Sequence, residues 1–472
     1  MQEITDLTSA GKLALGLALG LLVVGLILLG RFAGRGVATE SEYLVADRKV
    51  PLLLSILALL ATWFGSSSVI EASSKMYRVG LREVLLDPIA CGATLILTGL
   101  VFADRFWNSG AATVSDLLRK EFGPWAERLS CMIQVPSFFL WIGSQMLAMG
   151  QLLESALDVP LWIAIAVSAG ATLGIVVWGG MWSVTWANTV MILVSLASVM
   201  VLFWVTWSQL GIEQVVEAVP RGHFSLDASS PSRWMAIGSV LVIGLFGNVP
   251  GQDIQQRVAS AKSASTARWM CIWAGVLYLM FGMIPLYLGI AARYRFSDSL
   301  QETDLPIQRL AGLYLSQPLQ VLFLVGMFSL ALAVASGATL SQSSIVSRNM
   351  LGHWLGHRLG GMQLARASTV LVVVSSMCVA YSGESIMQLL ELSLVIVLVS
   401  LFVPMTVALF FPSGSPRPGV GISGMLSGLV VWMAATCFQE SVAIAASLLG
   451  LSASAIASWI AIKRLELVRP AR

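Results

Sequence analysis

Two hydrophobic segments contain polar and helix-breaking residues where a simple membrane helix would be uniformly apolar. The first reads ATWFGSSSVIEASS over residues 61–74, and the second reads GLFGNVPGQDIQQR over residues 244–257. Irregular backbone at membrane depth is stable only where it is buried in protein or lines a cavity. Its freed carbonyl and amide groups, with hydroxyls nearby, can bind an ion or a small polar molecule. The alternative is that the glycines and serines only allow close helix packing.

These two segments supply a predicted set of solute contacts. Unwound backbone is expected near residues 64–68 and 247–251, so that hydroxyl, amide and free backbone groups line one cavity. The predicted contacts in the two segments are Ser66, Ser67, Ser68, Gly247, Asn248 and Gly251.

Carboxyl groups also occur inside hydrophobic segments. Asp87 lies a short way into the segment that follows the first expected break, and Glu71 comes directly after that break. Charged side chains at membrane depth are costly and usually mark a cavity or a proton route. Asp87 and Glu71 are therefore candidates for contact with a solute or a proton, and the alternative places both in the outer headgroup region. Asp253, among glutamines, is predicted to be hydrogen-bonded at a cytoplasmic helix end.

The overall composition is that of a membrane protein. Of the 472 residues, 57% are hydrophobic and 11% are charged, and the mean hydropathy is +0.83. Soluble domains have roughly 25% charged residues, so a soluble globular protein is excluded. A net charge of +3 indicates no nucleic-acid partner. The scattered cysteines and the unclustered histidines predict neither a disulfide nor a transition-metal site, and no organic cofactor is expected.

Polar connections divide the chain into about thirteen predicted transmembrane helices. The predicted parts are an extra helix at 1–35, a five-helix repeat at 51–207, a second repeat at 234–411, and two extra helices with a tail at 419–472. The interrupted segments open the two repeats five spans apart and so enter the membrane from opposite faces, which predicts inverted repeats. The distribution of Lys and Arg places the N-terminus outside and the C-terminus in the cytoplasm.

Five local motifs together resemble the sodium:solute symporter family, whose members have the LeuT-type fold. In chain order they are SEYLVADRKVP at 41–51, GLVFADRFWNSGAATVSDLLRKEFG at 99–123, WGGMWSVTWANTVM at 178–191, QRVASAKS at 256–263 and SQSSIVSRN at 341–349. The resemblance implies an all-α membrane protein with a 5+5 inverted repeat. It also implies secondary active transport of a solute, with sodium as the coupling ion.

Within that family the nearest local resemblance is to the high-affinity choline transporter branch. The resemblance implies that Trp63 and Trp141 offer aromatic faces to the solute, because such faces attract quaternary ammonium groups. Two further aromatic positions of the branch are Cys91 and Gly251 here, which argues against choline itself. Packing roles for both tryptophans remain the alternative. The matching residues are Ala61, Thr62, Trp63, Pro88, Ile89 and Trp141.

The same resemblance implies where sodium would bind. The family site uses the carbonyls at the first helix break, here those of Ala61 and Phe64, and two adjacent hydroxyls in the ninth span. Alignment from the inner end of that span puts Ala333 and Val334 on the hydroxyl positions.

Other residues keep the question of the ion open. A register shift of one helical turn brings Ser336 to the sodium site, with Thr339 a turn away, and the aspartate that some members have in the sixth span is Asn188 here. Coupling to sodium, coupling to protons through Asp87, and loss of coupling are all compatible with this pattern.

The sequence as a whole predicts a secondary active transporter that imports a small polar organic solute by alternating access. The alternatives are a transporter-like sensor or subunit that has lost ion coupling, and a proton-coupled or uncoupled carrier. An enzyme is not expected, because no nucleophile elbow or phosphate-binding loop is present. The predicted location is the cell membrane, in contact with lipid, as a monomer or a homodimer.

Overall fold

A computed structural model describes residues 7–226, 229–297, 299–300, 305–356, 358–382, 386–413, 416–437 and 446–468. Within these ranges the chain is almost entirely helical. The α-helices are α1 (Ser9–Ala33), α2 (Glu40–Val45), α3 (Leu52–Trp63), α4 (Ala72–Arg78), α5 (Cys91–Leu97), α6 (Ala103–Ser109), α7 (Val114–Phe122), α8 (Pro124–Leu157), α9 (Leu161–Leu210), α10 (Ile212–Ala218), α11 (Pro231–Gly247), α12 (Gln252–Ser260), α13 (Ala264–Phe296), α14 (Pro306–Tyr314), α15 (Gln317–Ile345), α16 (Gly352–Leu355), α17 (Gly361–Ala380), α18 (Ile386–Val397), α19 (Val403–Phe410), α20 (Pro418–Thr436) and α21 (Ala446–Val468).

Short turns of other helix types join several of these elements. The 3-10 turns are Ala46–Arg48, Leu81–Val84 and Arg221–Phe224, and the π-helical turns are Ser67–Glu71, Leu85–Ala90, Thr98–Phe102, Val346–Leu351 and Leu398–Phe402.

Local residues explain where the long helices begin. The Ser263 side chain accepts from the Thr266 N–H and caps α13, and Ser230 caps α11 in the same way. Pro231 and Pro124 stand in the first turns of α11 and α8, where no backbone hydrogen bond is lost. Helix starts are therefore set by capping residues at the ends of polar connections.

The number of spans agrees approximately with the sequence prediction. Among the described residues, eleven helices are long and apolar enough to cross a membrane, and twelve if the bent pair Leu52–Trp63 and Ser67–Arg78 forms one span. Helix α9 contains 50 residues and has non-helical backbone at Gly180, with φ 53° and ψ −130°. A helix of this length extends about 75 Å, more than twice the hydrocarbon thickness, so it accounts for two of the predicted thirteen spans.

Helix α15 is the centre of the bundle. It packs against α9, α8, α17 and α3, and 83% of its most apolar 18-residue stretch is buried inside the protein. The corresponding value is 22% for α1 and 28% for α21. The first and last helices therefore lie at the periphery of the bundle, where several of their large apolar side chains are exposed.

A short backbone bridge joins the two interrupted spans. The Val50 N–H donates to the Ser260 carbonyl at 3.1 Å, and the Lys262 N–H donates to the Val50 carbonyl at 3.1 Å. Val50 precedes α3 and Ser260 ends α12, so the start of the first interrupted span lies at the same membrane face as the end of the second. The two spans run in opposite directions, as inverted repeats require.

Candidate functional site

The first interrupted span breaks where the sequence predicts it. Helix α3 ends at Trp63, Phe64 has φ −77° and ψ 83°, and helical structure resumes as a π-helical turn at Ser67–Glu71. The two halves are bent by 62°. Gly65 favours the break because it lacks a side chain, and the unwound stretch is shorter than the predicted 64–68. Backbone carbonyls of the last turn of α3 thus lose their helical partners inside the protein.

The second interrupted span breaks at residues 248–251. Helix α11 ends at Gly247, and α12 begins at Gln252 after an extended Gly251 with φ −61° and ψ 128°. Pro250 has no N–H to continue the helix. Its carbonyl accepts from Gln134 Nε2 at 3.1 Å. Glutamine side chains therefore replace the helical hydrogen bonds that this break removes.

A cavity of about 10 Å³, room for about one water molecule, lies beside the second break. Aromatic residues of α8, residues of the break and one side of α18 enclose it, and the rings of Phe138 and Trp141 meet edge to face with centroids 5.3 Å apart. Four of its residues, Trp141, Gly247, Asn248 and Gly251, are predicted solute contacts. The lining residues are Phe138, Trp141, Gly247, Asn248, Gly251, Ser393, Leu394 and Val397.

Sequence reasoning missed half of this lining. Phe138 lies three residues before Trp141 on α8, so a search for aromatic residues at helical spacing would have found it. Ser393, Leu394 and Val397 belong to α18, whose sequence IMQLLELSLVIV places Glu391 in an apolar run. An ionisable residue at membrane depth usually marks a cavity, so Glu391 was the signal that could have indicated this helix.

A buried carboxylate lies on the other side of the first break. Asp87 is 6% exposed, and its oxygens accept from Ser67 Oγ at 2.8 Å, Ser68 Oγ at 3.0 Å and the Tyr278 hydroxyl at 2.7 Å. Asp87 is therefore buried among helices of the protein and paired with hydroxyl groups. Ser67 and Ser68 thus face Asp87 instead of the cavity at the second break. Tyr278, on α13, is a functional candidate that the sequence did not indicate.

The remaining first-segment candidates have other partners. Ser66 Oγ donates to Gln145 Oε1 at 2.9 Å, and Trp63 Nε1 donates to Asp253 Oδ2 at 2.6 Å. Trp63 does not line the cavity that contains Trp141. The carboxylate of Asp253 is fully buried. It is hydrogen-bonded, as expected, and its partner is the tryptophan at the end of α3. Glu71 lies half-buried at the end of the π-helical turn.

A cluster of four buried polar residues lies beside the first break. Its members are Thr62, Asn188, Arg257 and Ser336. The guanidinium of Arg257 donates through Nη2 to Thr62 Oγ1. One orientation of the Asn188 amide gives both its oxygen and its nitrogen a partner. In it the oxygen lies 3.2 Å from Arg257 Nη2, and the nitrogen donates to Val184 O and to Ser336 Oγ, each at 3.2 Å.

The residues predicted to bind an ion do not all lie in one place. Ser336 belongs to the cluster with Thr62, Asn188 and Arg257, and its hydroxyl also donates to the Ala333 carbonyl at 3.1 Å. Thr339 is buried one turn further along α15. Ala61 and Phe64 flank the end of α3, so their carbonyls lie at the first break.

A multi-pass helical bundle built on two opposed broken helices has the LeuT-type fold of membrane transporters. The structure of a Na+-coupled sialic acid symporter in a substrate-bound outward-open state superposes with a TM-score of 0.81 at 15% identity, covering 96% of this chain and 98% of that one. The nucleobase-cation-symport-1 family transporter MHP1 superposes with a TM-score of 0.58 at 14% identity, covering 91% and 95%. At these identities the comparison shows the fold alone.

The sequence profile of the sodium:solute symporter family matches residues 43–413. The chain belongs to this family. High-affinity choline transporter 1 of Drosophila melanogaster is 24% identical over 75% of this chain and 58% of its own length. The human high affinity choline transporter 1 is 25% identical over 87% and 73%, and the sodium/glucose cotransporter of Vibrio parahaemolyticus is 25% identical over 55% and 51%.

The chain thus spans about half the length of several relatives, with 46% for the choline transporter of Caenorhabditis elegans. The family and the structural neighbours are transporters and not enzymes.

Proposed function

We propose that the chain is a secondary active transporter that imports a small polar organic solute by alternating access. The observation that carries the proposal is the cavity at the second break, where Trp141 and Phe138 face Asn248 and the unwound backbone. Discontinuous helices at a repeat interface are the usual location of a solute site in such folds. The family membership supports the same function.

The lining indicates the chemistry of the solute. Phe138 and Trp141 supply apolar faces, whereas Asn248 and Ser393 supply an amide and a hydroxyl. All eight lining residues are uncharged. A solute with a compact apolar part and a few hydrogen-bonding groups matches the chemistry of this set, because sites of this kind use apolar walls with a small number of placed polar groups. The cavity has room for about one water molecule, so the surrounding helices must move apart to admit the solute.

The carboxylate at the first break is the second element of the proposal. Asp87 accepts three hydroxyl hydrogen bonds in a buried position, so it is held ready for a proton or for a polar group of the solute. Its donors Ser67 and Ser68 belong to the interrupted span itself. A change at Asp87 would therefore reach the helix break directly.

The predicted orientation and assembly complete the proposal. The chain lies in the cell membrane with the N-terminus outside and the C-terminus in the cytoplasm, as the positions of Lys and Arg indicate. A monomer or a homodimer is expected. On α1, Gly16 and Gly20 have open space around them, which leaves a small-xxx-small surface available to a second copy.

A ligand screen followed by uptake tests this function. Purified protein is heated with a panel of amino acids, sugars, betaines and carboxylates, and a true solute raises the melting temperature because it binds only the folded state. The stabilising compound is then offered to proteoliposomes under an imposed ion gradient. We expect uptake above equilibrium that Asn248→Ala reduces. Stabilising compounds that are bound but never accumulated would contradict transport.

A further inference from the structure

The side chains that face the first break do not fit the sodium site that the family implies. Sodium at a helix break needs hydroxyl oxygens in addition to the backbone carbonyls to complete its coordination. The two adjacent positions in α15 are Ala333 and Val334, and a methyl carbon of Val334 lies 2.7 Å from a Cβ atom built on Gly65 of the break. Apolar methyl groups thus stand against the break. The Ser336 hydroxyl is engaged with the Ala333 carbonyl and the Asn188 amide.

A positive charge of the chain itself occupies this region. Arg257 is 4% exposed, and its Nη2 contacts Thr62, one residue after Ala61. A Cβ atom added to Gly337 would lie 2.7 Å from Nη2. The missing side chain at Gly337 therefore makes room for the guanidinium between α3 and α15, and the Asn188 oxygen of α9 lies 3.2 Å from it.

The charges around this guanidinium are already balanced. Asp253 lies one helical turn before Arg257 on α12 and is fully buried, whereas Asn188 is neutral. One carboxylate and one guanidinium leave no net charge for a second cation to neutralise. Removal of the guanidinium would leave the Asp253 carboxylate uncompensated, and one unit of charge about 6 Å away in a protein environment changes cation binding roughly 100-fold.

We propose that the Arg257 guanidinium is a built-in cation that replaces sodium, holding both interrupted spans to α15 and α9 without a bound ion. The proposal deepens the proposed transport function and rests on it only for the role of the helix breaks. Its consequence is that the energy for uptake comes from a gradient other than that of sodium.

Sodium binding to the purified full-length chain tests the proposal without any solute. Binding of ²²Na⁺ and the melting temperature in NaCl against KCl of equal ionic strength are measured for the native protein and for three variants. The first variant, Ala333→Ser with Val334→Ser, restores the hydroxyls. The second adds Arg257→Gln to it. The third adds Arg268→Gln instead, as a control, because Arg268 is an exposed arginine on α13 that pairs with Asp104.

We expect background sodium binding and no difference between the two salts for the native protein, the hydroxyl variant and the Arg268→Gln control. The variant with Arg257→Gln should gain sodium affinity by roughly 100-fold over the hydroxyl variant. Saturable sodium binding by the native protein would overturn the proposal, and so would sodium binding by the hydroxyl variant with Arg257 in place. Unchanged binding after Arg257→Gln in a folded variant would also overturn it. If Arg257→Gln does not fold, the native titration still decides. Because transport is not measured, failure of the proposed function would leave these results unaffected.

Discussion

Removal of the Tyr278 hydroxyl should destabilise the carboxylate site without disturbing its packing. In Tyr278→Phe the ring remains, so the edge-to-face contact with Phe64, with centroids 5.5 Å apart, is kept. The lost bond to Asp87 measures 2.7 Å, the 2.6 Å contact of the same hydroxyl with Ser68 Oγ is lost with it, and Asp87 retains its two serine donors. Hydrogen bonds to charged groups contribute about 1.5–3 kcal/mol in soluble proteins, whereas interhelical bonds in membrane proteins average about 0.6 kcal/mol. Since one oxygen loses its donor but the carboxylate stays paired, we expect a loss of about 1–2 kcal/mol.

A double-mutant cycle measures the interaction itself. The free energy of unfolding is determined in mixed micelles for the native protein, Tyr278→Phe, Asp87→Asn and the double variant. The coupling energy is expected to be about 1 kcal/mol, because each single change weakens the same charged hydrogen bond.

The control for this cycle is on the same helix. The Tyr287 hydroxyl donates to the Gly211 carbonyl at 3.3 Å, a long and neutral bond, so Tyr287→Phe should cost less than about 1 kcal/mol. Two results would refute the reasoning. One is additivity of Tyr278→Phe and Asp87→Asn within about 0.5 kcal/mol, and the other is an equal loss in the control.

Three further predictions concern other parts of the molecule. Asn248→Ala should weaken solute affinity about 10-fold through loss of one hydrogen bond, with unchanged unfolding, and equal affinity would place the solute elsewhere. Gly180→Ala should cost about 2 kcal/mol or more, since φ is 53° and the added Cβ meets the Tyr43 ring at 2.8 Å; Gly170→Ala, with open space around it, should be neutral or slightly stabilising, and equal costs would contradict this. The backbone N–H groups of Ala38 and Thr39 donate to the Glu42 carboxylate and hold its pKa below the usual range. The cap therefore stabilises α2 above the ordinary carboxyl pKa, and this stabilisation is lost as the pH falls through the lowered pKa. Hydrogen exchange of residues 40–45 between pH 6 and pH 3 should show this loss, and Glu42→Gln should abolish it.

The breaks could be predicted because their causes are local. Gly65, and Pro250 with Gly251, each interrupt helical hydrogen bonding through their own chemistry. The partners across the bundle could not be predicted in the same way. Tyr278 meets Asp87 across 191 residues of sequence, and nothing in the apolar run around that tyrosine marks it as different from a membrane-facing residue.

The charged residues after the second break show the same limit more sharply. Asp253 and Arg257 stand in a run of glutamines, and such a run is typical of a helix end in water. Every residue of α12 is buried instead. Hydropathy reports how polar a segment is, but it does not report whether other helices of the chain supply the polar partners.

The burial of α12 has a consequence for how the two faces of the membrane can open. Its side chains bond to several other elements: Gln252 Oε1 accepts from the Val114 N–H at 2.9 Å, Gln256 Nε2 donates to the Leu44 carbonyl at 2.6 Å, and Arg257 reaches Thr62. A polar helix is stable inside the protein because these bonds replace those it would make with water. Movement of α12 away from α3 and α7 would exchange each bond for one to water, whereas movement of an apolar helix would expose apolar surface. The surface uncovered by such a movement is therefore polar, and a polar solute released from the break would meet a hydrated path.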